Sequence, residues 1–273
     1  MRSAAHVAAR ELRLGFRNPW AYSFMALFCL FSLSLLLMPA DRLQEGYSAA
    51  AGSLLNLMLY LLPLMTLLIG SFSLASEKEE GSWDLLATYP MGTFAFLAGK
   101  MAGLAAVLIT VVAFGFGLTG VLGALAGKAP DAGVLGMFFA FAAGLILLFL
   151  AAAAVIGTLA ESRWQALTVS VAVWFFLIIA WPTLLIAGLG LLPHPWIKPA
   201  LAALTAVNPA ELVRLFVVVK LGGGSVFGPE YYAWMNWIRG AGGTAGFLAV
   251  CLVWIAAALM FSHVMWERRR THG

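Results

Sequence analysis

Long uncharged apolar runs constrain the fold of this sequence more than any other feature. About 20 residues of α-helix cross the roughly 30 Å of hydrocarbon in a bilayer, because each residue adds about 1.5 Å. Runs of this length without Asp, Glu, Lys or Arg are typical of transmembrane helices. We therefore predict one all-α membrane domain over residues 1–273 with six transmembrane helices. Their approximate cores are residues 20–38, 54–75, 101–126, 133–160, 166–192 and 243–262.

The distribution of Lys and Arg predicts which side of the membrane each end occupies. Cytoplasmic loops carry an excess of these residues close to the spans. Basic residues flank the first and last spans at the termini and lie between spans two and three and spans four and five, whereas the opposite short loops hold only Arg42 and Lys128. We expect a multi-pass protein of the inner (cytoplasmic) membrane with both termini in the cytoplasm and residues 193–242 outside. The net charge of +4 then reflects topology and contact with anionic lipid, and it does not indicate nucleic-acid binding.

The segment before the first span is predicted to be an interfacial helix over residues 3–18. Apolar and basic residues recur every three to four positions on different faces, and Asn18-Pro19 ends the pattern. Such a helix lies along the inner membrane surface; the alternative is a charge cluster that only sets topology. The apolar face consists of Ala5, Ala9, Leu12 and Phe16, and the basic face includes Arg10, Arg13 and Arg17.

An amphipathic helix is also predicted within the outer loop, residues 193–242. Asn208 can cap its start, Pro209 suits its first turn, and an apolar stripe follows as far as Val219. We expect this helix to pack at the outer interface. A lid function is the alternative.

An acidic stretch, ASEKEEGSWDLLATYP from Ala75 to Pro90, separates spans two and three. Ser76 and Glu79 have the capping-box spacing, in which a hydroxyl and a carboxylate satisfy free N–H groups at the start of a helix. The helix dipole favours negative charge at that end. We therefore predict a short cytoplasmic helix over residues 76–89 that fits a groove on a soluble partner. The alternative is a solvated turn whose acids keep it out of the bilayer.

Several function classes are disfavoured by missing residues. The six predicted cores hold no Asp, Glu, Lys or Arg, so no proton relay of the kind that ion-coupled carriers need is visible. The sequence has no HExxH, no GxSxG and no complete phosphate-binding loop around Gly99-Lys100 or Gly127-Lys128. The methionines and the two cysteines, Cys29 and Cys251, are expected to fill core space. We expect no catalytic residue, metal or cofactor in this chain, and energy must come from a partner.

Three segments resemble type-2 ABC-transporter (ABC-2) permeases. EKEEGSWDLLATYPMGTFAFLAGK has the family's acidic pair, Gly, small hydroxyl residue, Leu pair, Pro turn and Gly-Lys before span three, with Ser82 where Thr is usual. ARELRLGFRNPW is similar to the family's interfacial helix. NPAELVRLF resembles the branch that contains the permease of the nitrous oxide reductase maturation transporter. The matching positions of the first segment are Glu77, Glu80, Gly81, Ser82, Leu85, Leu86, Pro90, Gly99 and Lys100.

The resemblance implies a fold of the type V exporter kind, a homodimer, and two copies of a cytoplasmic ABC ATPase that bind ATP and Mg. In the named branch it also implies an extracytoplasmic copper-site assembly protein as a partner, and a sulfur species for copper-site maturation as the cargo. The alternatives are an ABC-2 exporter of a lipid, peptide or drug, a membrane-integral enzyme, and a scaffold. The expected ATPase-coupling residues are Glu77, Glu79, Glu80, Gly81, Ser82, Trp83, Asp84, Leu85 and Leu86, bordered by Arg10, Arg13 and Arg17.

Overall fold

The computed structural model describes residues 2–34, 49–81, 92–127, 131–223 and 232–272, and it contains no β-strand in these residues. The predicted all-α class is confirmed. In chain order the elements are α1 (Arg2–Arg17), α2 (Pro19–Ser34), α3 (Ala49–Glu79), α4 (Thr93–Leu125), α5 (Ala132–Leu159), α6 (Arg163–Trp174), a π-helical segment (Phe175–Ala180), α7 (Trp181–Gly190), α8 (His194–Val207), α9 (Pro209–Lys220), α10 (Tyr232–Arg239) and α11 (Ala241–His272).

Within the described residues, five helical stretches are long and apolar enough to cross a membrane: α3, α4, α5, the continuous α6–π–α7 stretch, and α11. Helix α2 has 16 residues, and residues 35–38 of the predicted first span lie outside the described part. Helices α8 and α9 are bent by 111° relative to each other, as in a broken span or a re-entrant loop, and counting them as one span raises the total to six. The outer helix that the sequence predicts is therefore one arm of a bent pair.

Helices α3 and α4 extend beyond the apolar runs that predict them. They have 31 and 33 residues. At about 1.5 Å per residue, each is about 46 to 50 Å long and exceeds the roughly 30 Å of hydrocarbon. Helix α3 continues past Ala75 to Glu79, and α4 begins at Thr93, well before Met101. The charged residues at these ends therefore belong to the same rigid helices as the apolar spans.

Helix α1 packs very closely against the start of α4. A Cβ atom on Gly99 would lie 2.4 Å from the Ala4 carbonyl oxygen, and one on Gly103 would lie 2.6 Å from Glu11 Cβ. Small residues four positions apart permit such close contact between helix backbones. Val7 and Glu11 are buried on this face of α1. The predicted apolar face is a different one, and it stays exposed at Ala5, Ala9 and Leu12.

Two buried hydroxyl pairs join helices inside the bundle. The Ser71 and Ser170 hydroxyls lie 2.9 Å apart and connect α3 to α6. The Thr119 hydroxyl donates to the Ser32 hydroxyl at 2.7 Å and connects α4 to α2. Both members of each pair are buried, and such bonds help to hold apolar helices in register. They place α2 and α6 on the core formed by α3, α4 and α5.

Candidate functional site

Helix α3 runs through the point where the sequence predicts a new helix to start. The Ser76 hydroxyl donates to the Ser73 carbonyl at 3.2 Å, and the Glu80 N–H donates to the Ser76 carbonyl at 2.9 Å, so Ser76 lies in the last turns of a helix. Gly81 has φ +67°, the left-handed conformation that commonly ends a helix. The predicted capping box is therefore wrong. Gly81 acts as a stop signal, and its effect outweighs the capping spacing that Ser76 shares with Glu79.

Part of the predicted coupling helix, residues 76–89, lies outside the described residues. Residues 76–79 belong to α3, and the described chain continues to Gly81. The predicted coupling residues outside the described part are Ser82, Trp83, Asp84, Leu85 and Leu86.

Four consecutive charged residues, Glu77 to Glu80, lie at the end of α3, with Glu80 directly after its last residue; we call them the charged end of α3. Successive side chains on an α-helix point about 100° apart, because the helix has 3.6 residues per turn. The four side chains therefore reach several neighbouring helices. Glu77 faces α1 and α4, Lys78 faces the end of α5, and Glu79 and Glu80 face the start of α6.

Glu77 belongs to a buried ionic cluster. The Lys100 Nζ atom lies 2.9 Å from Oε1 of Glu77 and 2.9 Å from Oε1 of Glu11. The Ser73 hydroxyl donates to Glu11 Oε2 at 3.2 Å, and Arg10 Nη1 lies 3.6 Å from Glu77. Burying one member without the others would leave an uncompensated charge, which is strongly unfavourable. The cluster therefore fixes α1, α3 and α4 relative to one another.

This burial corrects the role predicted for Glu77. Its side chain is only 7% exposed and points into the bundle, so it does not form part of an outward docking surface. Two neighbouring carboxylates need a shared cation, and Lys100 supplies it. The Glu77 carboxylate instead binds Lys100 and so fixes the buried side of the charged end of α3 to α4.

Lys78 caps the end of α5. Its Nζ atom donates to the carbonyl oxygens of Thr158 and Ala160, the latter at 2.9 Å. The last carbonyls of a helix have no partner in their own helix and carry the negative end of its dipole. Lys78 Nζ also lies 5.5 Å from the centre of the Trp266 ring of α11. One ammonium group thus connects α3 to α5 and α11.

Glu79 and Glu80 bind the first residue of α6. The Arg163 backbone N–H donates to Glu79 Oε2 at 3.1 Å, and the Arg163 guanidinium group forms ion pairs with both carboxylates. Glu79 therefore does lie at a helix N-terminus, where the dipole favours its charge, but the helix is α6 rather than the predicted one. Ser162 caps α6 by accepting a hydrogen bond from the Gln165 N–H at 3.2 Å.

The outward-facing part of the predicted site is small. The side chains of Glu79 and Glu80 are 44% and 59% exposed. Gly81 is also exposed. On α1, Arg10 lies beside Glu77 with a 55% exposed side chain, and Arg13 and Arg17 are exposed. These residues form the part of the predicted coupling surface that a soluble partner can reach.

Sequence reasoning missed the roles of Glu11, Lys78 and Arg163. One signal for Glu11 was available, since it is the only acid in a segment whose other charges are all Arg. Lys100 belonged to the family pattern, but its partners are distant in sequence. No sequence feature indicates that Lys78 would reach the end of α5.

A cavity of about 510 Å³ lies next to these residues, between α1, α2, α3, α4 and α6. Its walls are mostly apolar, and Glu11, Ser73, Ser76 and Arg163 supply polar groups. In the described part of the chain, no three His, Cys, Asp or Glu side chains lie close enough to hold a metal ion. Because its walls are mostly apolar, the cavity can accept an apolar or amphiphilic group. Its charged side chains already have partners: Glu11 binds Lys100, and Arg163 binds Glu79 and Glu80.

Long apolar helices tied together by charges at one end define a multi-pass α-helical membrane protein. The chain belongs to the ABC-2 family transporter proteins, because the model of that family matches residues 5–270. It is a transmembrane permease subunit of an ABC transporter. Membership implies an ATPase subunit as a partner.

Two relatives are similar over nearly their whole length. The chain is 29% identical over 287 residues to the "Probable ABC transporter permease protein NosY" of Stutzerimonas stutzeri, covering 99% of this chain and 100% of that protein. It is 31% identical over 273 residues to the protein with the same description in Pseudomonas aeruginosa strain PAO1, covering 96% and 97%. The predicted resemblance to this kind of permease is confirmed.

Proposed function

We propose that this permease forms a homodimer in the inner membrane, with both termini in the cytoplasm, and that each copy binds one cytoplasmic ATPase subunit. The ATPase binds ATP and Mg, and the permease itself catalyses no reaction. Closure of the ATPase on ATP moves the charged end of α3, and the attached helices carry that movement into the membrane. The excess of basic residues at this end of the spans supports the orientation.

The observation that carries this proposal is the set of contacts made by four consecutive residues. Through Glu77, Lys78, Glu79 and Glu80, the end of α3 is bonded to α1, α4, α5 and α6. The buried ion pairs to α1 and α4 resist separation, so those two helices share a displacement of this end rather than absorbing it locally. The contacts to α5 and α6 add hydrogen bonds to backbone groups. Glu79, Glu80 and Gly81 are exposed immediately before the remaining predicted coupling residues, 82–86. This geometry suits a contact that transmits force.

For the cargo, we propose a sulfur species needed for copper-site maturation of nitrous oxide reductase, with an extracytoplasmic copper-site assembly protein as a further partner. The near full-length similarity to permeases described as NosY supports this choice. Export of a lipid, peptide or drug is the second candidate, and the mostly apolar 510 Å³ cavity favours it. Deletion of the gene in a host that makes nitrous oxide reductase distinguishes the two candidate cargoes. If the permease supplies the sulfur species, the reductase should lack its complete copper site. If it exports a lipid, peptide or drug, the copper site should be complete.

Charge reversal tests the coupling role. The double variant Glu79→Lys/Glu80→Lys should insert normally but lose copurification of the ATPase. Because both acids also pair with Arg163, Arg163→Gln is the matched control: it removes the guanidinium pairs but keeps both carboxylates and the backbone bond to Glu79, so ATPase recruitment should persist. Normal recruitment and transport in the charge-reversed variant would contradict the proposal. Equal losses in both variants would show that the internal ion pair, and not contact with the ATPase, matters.

A further inference from the structure

The span built from α6, the π segment and α7, which we call span five because it corresponds to the fifth predicted span at residues 166–192, contains a backbone carbonyl that its own helix leaves unpaired. In a π-helix each N–H donates to the carbonyl five residues earlier, and the Trp181 N–H does so with Phe176. The next donor in this series would be residue 182, which is proline and has no N–H. The Leu177 carbonyl therefore lacks the partner that the pattern would give it.

The side chain of Asn208 supplies the missing donor. Its Nδ2 atom donates to the Leu177 carbonyl at 2.7 Å, while its Oδ1 atom accepts from the Ala210 N–H at 2.9 Å and caps α9. Asn208 is 0% exposed, so its amide group is shielded from solvent. An unpaired carbonyl in apolar surroundings is costly. One amide group therefore joins span five to the start of α9.

Asn208 is also the residue at which α8 and α9 meet at 111°. We call residues 206–210 the elbow. A second bond reaches the elbow from α11, since Trp254 Nε1 donates to the Ala206 carbonyl at 2.9 Å. The elbow is thus held by two side chain to backbone bonds of similar length, one to span five and one to α11.

The same span begins at the charged end of α3. Arg163, the first residue of α6, is bound by Glu79 and Glu80, and Ser170 is bonded to Ser71 of α3. From Arg163 the helix continues without interruption into the π segment that contains Leu177. A continuous series of bonded groups therefore leads from the exposed acids to the Leu177 carbonyl and from there to Asn208.

We propose that Asn208 is a positioning residue that transmits movement of span five to the elbow, so that a change at the charged end of α3 displaces the outer segment. The inference rests on the proposed function, in which the ATPase acts at that end. It adds the route by which the movement reaches α8 and α9.

Two substitutions isolate this bond from other roles of Asn208. Asn208→Ser keeps a good capping oxygen, but the shorter side chain cannot donate to Leu177. Pro182→Ala restores a backbone N–H, so Leu177 gains a partner from residue 182 in a π turn or from residue 181 in an α turn. In the Pro182→Ala background the carbonyl is paired without Asn208, so Asn208→Ser should cost little stability there. The bond between span five and the elbow is still absent in that double variant, so the response of the elbow to nucleotide should stay reduced. Trp254→Phe is the matched control, because it removes the other bond to the elbow and leaves the bond to Leu177 in place.

The readout is the spectrum of a spin label attached through Ala203→Cys on α8, in a permease with Cys29→Ala and Cys251→Ala, assembled with its ATPase. Position 203 is exposed. Addition of ATP and vanadate should change label mobility in the otherwise natural chain. Asn208→Ser and Asn208→Ser/Pro182→Ala should both lower the nucleotide-dependent ratio of the two label populations about two- to tenfold, which corresponds to loss of one hydrogen bond, whereas Trp254→Phe should retain it.

Recovery of the nucleotide response in Asn208→Ser/Pro182→Ala would overturn the inference, because it would show that only the unpaired carbonyl matters. So would lower thermal stability of Asn208→Ser with an unchanged response to nucleotide, which is the result expected of a merely structural bond. An ATPase that copurifies but leaves the label of the unsubstituted permease unresponsive also overturns it. Failure of the ATPase to copurify at all contradicts the proposed function instead.

Discussion

The Lys100 ammonium group lies 2.9 Å from Oε1 of Glu77, and both side chains are buried where α4 and α3 meet. Glu11 of α1 binds the same ammonium group at the same distance. Three helices that are separate in sequence thus share one cation. The half-exposed Arg10 adds a second positive charge near Glu77, so the cluster is close to neutral as a whole.

Removal of the shared cation should be one of the most destabilising single changes in the protein. Lys100→Met keeps most of the side-chain volume but leaves two carboxylates buried without their partner, and breaking a buried pair in this way costs about 3–5 kcal/mol. We expect a large fall in the thermal unfolding midpoint of the detergent-purified permease. Intrinsic tryptophan fluorescence measures this midpoint.

The control for this experiment removes the charges together. Lys100→Met/Glu11→Gln/Glu77→Gln leaves no uncompensated charge, so most of the lost stability should return. A triple variant as unstable as Lys100→Met would show that packing of the lysine stem, and not charge, dominates the cluster.

The contact between α1 and α4 should not tolerate a side chain at Gly103. A Cβ atom there would lie 2.6 Å from Glu11 Cβ and 2.7 Å from the Ala8 carbonyl oxygen, and overpacking of this kind costs about 1–3 kcal/mol. Gly103→Val should loosen α1 and speed tryptic cleavage after Arg13 and Arg17. Gly117→Val on the same helix is the control, because a Cβ at Gly117 meets nothing within 4 Å. Equal cleavage rates in the two variants would contradict the close packing.

The spans could be predicted from sequence because their apolar runs are as long as a bilayer is thick. Their ends could not, because a hydropathy window stops at the first charge while the helix continues. Ser76 has the spacing of a helix start, yet Gly81 and the continuing backbone bonds place it near a helix end. Local spacing was a weaker signal than the uninterrupted apolar helix that precedes it.

The position of the candidate site was also predictable, since an acidic segment between two spans is conspicuous. The partner of each acid was not, because the partners are far apart along the chain: Glu11 is 89 residues from Lys100, and Glu79 is 84 residues from Arg163. A helix dipole does stabilise Glu79, but the helix is α6 and not the one predicted to start at Ser76. Only tertiary packing could bring the start of α6 to the end of α3.

Lys78 should matter for the order of the end of α5. Lys78→Met keeps an apolar stem and removes the donor to the carbonyls of Thr158 and Ala160; hydrogen bonds to charged groups contribute about 1.5–3 kcal/mol. Backbone amides of residues 156–160 should exchange hydrogen faster. Lys220→Met, which removes a lysine to carbonyl bond at Arg239, should leave that exchange unchanged. Unchanged exchange in Lys78→Met would mean that the α5 end is capped by other groups.

Arg163 and Lys100 each bind two glutamates, yet their substitutions should differ because only one cluster is buried. The side chains of Arg163, Glu79 and Glu80 are 45%, 44% and 59% exposed, and exposed pairs contribute about 0–1 kcal/mol. Arg163→Gln should therefore lower stability far less than Lys100→Met. High salt distinguishes the exposed Arg163 pairs from the buried Lys100 cluster, because the screening length in solvent falls from about 10 Å at 0.1 M to about 3 Å at 1 M. At 1 M salt, the unfolding midpoint of Arg163→Gln should approach that of the natural chain. The midpoint of Lys100→Met should stay well below it. If high salt removed the difference between Lys100→Met and the natural chain, water would have to reach the buried cluster.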